Sequence, residues 1–125
     1  MNSEKFKQGL EVRKEVLGAE HVDRSLANAT DFDQAMQELT TEWCWGTCWT
    51  RPGLSRRDRS MINLAMLSAL GRPDELALHV RGAITNGVTP EEVTEIFYQV
   101  AIYCGVPSGV EAFKIGKSVL EKLEK

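Results

Sequence analysis

Four glycines, Gly18, Gly71, Gly87 and Gly105, each close a run of residues whose apolar members recur at helical spacing. No other feature narrows the fold so far, because the residues that open the intervening runs are helix-start residues. Ser55, with Asp58 three positions later, reads as a cap ahead of Met61, Ile62, Leu64, Ala65 and Leu67, and Gly71 ends that helix. Pro73 sits where a first-turn proline belongs, Asp74 and Glu75 suit the positive end of a helix dipole, and Gly87 stops the helix that carries His79. Thr89, Pro90 and Glu92 open another, with Val93, Ile96, Phe97, Val100, Ala101 and Cys104 as its expected buried stripe and Gly105 as its end. A last helix is expected from near Ser108 through Val110, Phe113, Ile115 and Leu120.

The first half is written in the same code. Phe6, Leu10 and Leu17 share a helical face with the stem of Arg13, Val12 and Val16 lie beside it, and Gly18 is the stop. Thr30 and Asp33 resemble a capping box, after which Phe32, Ala35, Met36, Leu39 and Trp43 trace one apolar face, read here as core. Arg51-Pro52-Gly53 breaks that helix. His21 falls in the polar segment GAEHVDRS and is expected in an exposed loop. No stretch alternates like a strand, and no repeat is present. The expectation is an all-α fold, a compact bundle of about six or seven helices forming one domain over residues 1–125.

Charge and hydropathy exclude several classes of function. A net charge of -3 gives no overall attraction for nucleic acid or an anionic membrane. The N-terminal MNSEKFKQGLEVRKEV lacks the apolar centre of a signal peptide, and no apolar run reaches the ~18 residues that span a bilayer. A cytoplasmic protein is expected. Three cysteines without an export signal read as thiols in a reducing compartment.

Chemistry concentrates between Glu42 and Ser60, EWCWGTCWTRPGLSRRDRS, which holds all three tryptophans, two cysteines and four arginines. Cys44 and Cys48 have C-x-x-x-C spacing, unlike the C-x-x-C of dithiol oxidoreductases, and are read as small buried residues; Cys104 is read as core. Trp45 and Trp49 stand one turn apart and either wall a pocket or bury in a subunit interface. Around the helix start at Ser55, free N–H groups and guanidinium forks favour a carboxylate or phosphate, with Arg51 and Arg59 as the candidates and Arg56 and Arg57 as solvated bystanders. Glu75 and His79 are spaced i, i+4, so the carboxylate is expected to raise the imidazole pKa and hold it as a proton donor. The two histidines and scattered acids make no metal motif, and no metal is expected.

Three ordered stretches, WTRPGLSRRDRS, ELALHVRGAITNGVT and AIYCGVPSGVEAF, resemble the signatures of the carboxymuconolactone decarboxylase family, in register from about Phe6 to Leu120. The resemblance implies an alkyl-hydroperoxidase-D-like all-α fold, intertwined dimers often assembled as hexamers (a trimer of dimers), no cofactor, and decarboxylation of 4-carboxymuconolactone in the catabolism of aromatic compounds. For that chemistry Arg51 and Arg59 are expected to hold the substrate carboxylates, Trp45 or Trp49 to desolvate the departing one, His79 to stabilise the oxyanion or donate the proton, and Glu75 or Glu42 to set its protonation. In the peroxidase branch of the superfamily a C-x-x-C-x-x-x-H motif does the work, and here Arg72 and Glu75 stand where its cysteines would lie. Decarboxylases of the family are expected to carry a small residue before the WG and an acid after it; this chain has Cys44 and Thr47. Two other readings remain open from the residues: a helical oligomer without this activity, and a peroxide-consuming protein using Cys44 and Cys48.

Overall fold

The computed structural model describes residues 3–124, and every regular element among them is helical. They are α1 (Glu4–Leu17), α2 (Ala19–Ala27), α3 (Gln34–Leu39), a π-helical segment (Thr40–Cys48), α4 (Arg56–Leu70), α5 (Pro73–Thr85), α6 (Pro90–Cys104) and α7 (Val106–Leu123). The all-α expectation holds. The chain clusters into two compact units, one through Leu54 and the other from Ser55.

In the second unit the caps fall where the sequence places them. Ser55 Oγ accepts from the Asp58 N–H at 3.1 Å, and Gly71 ends α4 in the left-handed conformation at φ 69°. Thr89 and Glu92 form a complete capping box, each side chain accepting from the other's backbone N–H. Leu64, Leu76, Val80, Ala83, Val88, Val93, Phe97 and Ala112 make one buried apolar cluster from α4 to α7. Arg57, expected to be solvated, bonds the same Glu92 and so ties the start of α4 to the start of α6. That pairing is possible because Glu92 uses one oxygen for its cap and the other for the guanidinium.

The first unit is built differently. α1 packs on α2 and on the π-helical segment, and its buried residues are Gly9, Val12, Arg13, Val16 and Leu17. His21 lies half-buried in α2, where a loop was expected. Gly18 explains the miss, since it ends α1 and also serves as the N-cap of α2. The Thr30 and Asp33 pair forms a turn in which Asp33 Oδ1 accepts from the Thr30 N–H at 2.7 Å, and the helix begins only after Asp33. The expected core stripe is on the surface: Phe32 is 97% exposed, and Met36, Leu39 and Trp43 are each at least half exposed. Helical spacing identifies an apolar face, and nothing among the described residues covers it.

Candidate functional site

α3 runs without a break into the π-helical segment, Leu39 and Thr40 both keeping right-handed helical angles. The wider turn is marked by the Trp49 N–H, which donates to the Cys44 carbonyl five residues back at 3.1 Å. Two threonine hydroxyls supplement it, Thr47 donating to the Glu42 carbonyl at 3.2 Å and Thr50 to the Gly46 carbonyl at 2.7 Å. Four residues fall just short of one π turn, so Trp45 and Trp49 come side by side. Their rings stack with centroids 4.8 Å apart and planes 27° apart. Both are enclosed, at 2% and 5% exposure, by their own chain. Burial of this pair therefore needs no partner subunit. Glu42, half-buried on the same segment, accepts from Ser3 Oγ at 3.3 Å, and Arg51 lies exposed beyond its end.

The cysteines depart from expectation. Cys44, Cys48 and Cys104 are all exposed thiols. For Cys44 and Cys48 the reason is that the inward side of the segment is occupied by Thr41, Trp45, Gly46 and Trp49. Cys104 is the last residue of α6 and lies past the last buried position, Val100.

In the second unit, α4 carries Arg59 and α5 carries Glu75 and His79. Arg59 is half-buried, with its Nε enclosed. His79 is 9% exposed and its Nδ1 is fully enclosed. Burial lowers its pKa from 6.5 to about 4, the reverse of the expected rise. The expectation fails because Glu75 is exposed at the helix start, where water screens its charge, whereas the imidazole is removed from water. His79 is therefore neutral near pH 7. A neutral imidazole offers one N–H donor and one acceptor nitrogen, so it stabilises an oxyanion by hydrogen bonding without having to carry a charge.

The structure thus brings Glu42, Trp45 and Trp49 onto one helical segment and places Arg59 and His79 on neighbouring, packed helices of the other unit. A groove of about 330 Å³ between α6 and α7, floored by Val93, Phe97, Phe113 and Gly116, is lined by none of the seven candidate residues. Its lining is mostly apolar, and its polar members are Thr94, Lys117, Glu121 and Glu124. Among the described residues no three or more His, Cys, Asp or Glu side chains gather as a metal site. No described helix is long and apolar enough to cross a membrane. The residues missed by sequence reasoning are Arg13 and Thr41, a buried polar pair that joins α1 to the inward side of the π-helical segment; a buried arginine reads in sequence as a face-edge stem.

The sequence model of the carboxymuconolactone decarboxylase family matches residues 34–118. The chain belongs to that family. Among known relatives, a 4-carboxymuconolactone decarboxylase of Acinetobacter baylyi is 46% identical over 98% of this chain and 92% of its own. A nitrosuccinic acid decarboxylase of Metarhizium robertsii is 47% identical over 94% of this chain and 82% of its own. Two relatives at equal distance thus bear the names of decarboxylases with different acids, and carboxy-lyase is the enzyme class that fits both.

Proposed function

We propose that this carboxy-lyase removes CO2 from 4-carboxymuconolactone or a closely related small unsaturated carboxylated lactone. The observation that carries the reading is His79, a histidine kept neutral by burial on the helix that belongs to the family's central motif. The chemistry needs no cofactor, because the substrate contains its own electron sink. The carbon–carbon bond to the carboxylate breaks, its electron pair moves through the conjugated double bond into the lactone carbonyl, and CO2 leaves. The resulting oxyanion returns the pair as a proton is added to carbon. One proton is consumed and no electron is lost or gained.

In this reading Arg51 and Arg59 bind carboxylates as bidentate partners, and the His79 N–H donates to the oxyanion. Trp45 or Trp49 desolvates the departing carboxylate, and Glu42 or Glu75 serves the proton transfer. The exposed Phe32, Met36, Leu39 and Trp43 support assembly into a homo-oligomer, a hexamer built as a trimer of dimers, whose formation would cover that face.

A second acid is favoured by one specific finding, the nitrosuccinic acid decarboxylase relative. A nitro group beside the departing carboxylate is also an electron sink, and it accepts the pair as a nitronate. The two substrates ask the same of the protein, namely anion binding, oxyanion hydrogen bonds and carbon protonation. Ultraviolet monitoring of freshly generated 4-carboxymuconolactone, with 2-nitrosuccinate in a parallel CO2-release assay, separates them. Turnover of the lactone that falls roughly a hundredfold in His79→Ala, about 3 kcal/mol of transition-state stabilisation, is the expected result. No turnover of the lactone by folded protein ends that assignment, and an unchanged rate in the variant removes His79 from the mechanism.

A further inference from the structure

Arg13 lies in α1 with 6% exposure, far from any residue the decarboxylase reading uses in sequence, yet it is the deepest charged side chain of its unit. Its Nη1 donates to Gln37 Oε1 at 3.0 Å and to Thr41 Oγ1 at 3.1 Å. Those two acceptors straddle the junction where α3 becomes the π-helical segment. Thr41 is fully buried, so its hydroxyl has no solvent alternative to this bond.

Lys5, Gly9 and Arg13 stand four residues apart on α1, one face of the helix. All three address the same turn. A Cβ on Gly9 would lie 2.0 Å from the Thr41 carbonyl oxygen and 2.6 Å from the Gly46 nitrogen, the two ends of one five-residue π turn. A Cβ on Gly46 would lie 2.1 Å from the Lys5 carbonyl oxygen. An α-helical turn over the same residues would close one residue earlier and rotate Gly46 away from Lys5, bringing a side chain into a space that holds backbone only.

We infer that Arg13 is a positioning residue: with the glycine contact it holds residues 40–48 in the π register, and so places the stacked Trp45 and Trp49 and the Glu42 beside them. The sequence Gln34–Cys48 would otherwise continue as an ordinary α-helix, the geometry with better hydrogen bonds. In that register Trp45 and Trp49 move past one another and Glu42 changes its facing. Arg13 acts on the segment through Thr41, whose hydroxyl it holds. The effect on turnover rests on the decarboxylase reading, while the effect on the tryptophan pair does not.

Stacked indoles produce an exciton couplet in the far-ultraviolet circular dichroism spectrum, which reports the geometry of the pair directly. Arg13→Met keeps the apolar stem and removes the donor. The expected result is a couplet reduced at least twofold at unchanged helix content, partial recovery in Arg13→Lys, and a kcat that falls about tenfold or more with little change in KM. Thr41→Val, which keeps the shape and the Arg13 bond to Gln37, should reduce the couplet in the same direction and serves if Arg13→Met does not fold. A folded Arg13→Met or Thr41→Val with a full couplet, even one that melts at lower temperature, overturns the inference by making Arg13 a stability residue only. A lost couplet in a protein that never turns over either acid supports the positioning role and removes the decarboxylase reading alone.

Discussion

The two units of this protein solve the problem of holding helices together in different ways. The unit from Ser55 onward has an apolar cluster spread over four α-helices, with each cap and glycine stop at the place the sequence marks. The unit through Leu54 joins its helices by backbone contact at Gly9 and Gly46 and by a buried arginine, and it leaves its longest apolar stripe in water. Burial in a cluster is forgiving, since neighbours relax when one member shrinks. Backbone contact is not, since neither side can retreat.

Substitutions at matched positions should break that symmetry most sharply. Gly9→Ala or Gly46→Ala sets a methyl about 2 Å from a carbonyl oxygen, so about 4 kcal/mol or more of stability should be lost. The loss should appear in chemical denaturation as early unfolding of the first unit, with the tryptophan signal, which lies wholly in that unit, moving ahead of total helix content. Leu64→Ala, in the heart of the other cluster, should cost about 3 kcal/mol and leave the tryptophan spectrum intact. If both variants unfold both units together with equal cost, the contrast is void.

An acid titration sharpens the comparison within the second unit. The folded protein keeps His79 neutral down to about pH 4, whereas the unfolded chain takes a proton near 6.5. Stability from this group is complete above pH 6.5, falls as pH drops toward 4, and is then lower by about 3 kcal/mol. His79→Phe should flatten the corresponding slope in urea midpoints between neutral pH and about pH 5. The smallest effect belongs to the helix start: Thr89→Ala should cost about 1 kcal/mol by equilibrium denaturation, part of it through Glu92, whose second oxygen Arg57 holds.

Legibility followed the same division. Ser55, Gly71, Pro73, Thr89 and Gly105 mark helix ends through local chemistry, and local chemistry is what sequence displays. The stripe from Phe32 to Trp43 was equally visible as an apolar face, but periodicity carries no information about what covers a face. The π register stayed hidden because it depends on Arg13 and Gly9, which are distant in sequence from Thr41 and Gly46. Cys44, Cys48 and Cys104 were misplaced for a related reason, each being small and apolar enough to pass for filler. At His79 the spacing to Glu75 was right and the energetics were reversed, because desolvation is a property of the packed fold.

The crossing of α1 with the π-helical segment has a consequence for the order of folding. Helices α4 and α5, and likewise α6 and α7, are chain neighbours that pack on one another, so their contacts close over short loops. Ser3 meets Glu42 across 39 residues, and the Gly9 and Gly46 contact closes a loop of similar span before any of its tight packing is realised. The segment that carries the tryptophans should therefore reach its native register late, after the second unit has condensed, and a rapid-mixing experiment would find their fluorescence trailing the recovery of helix.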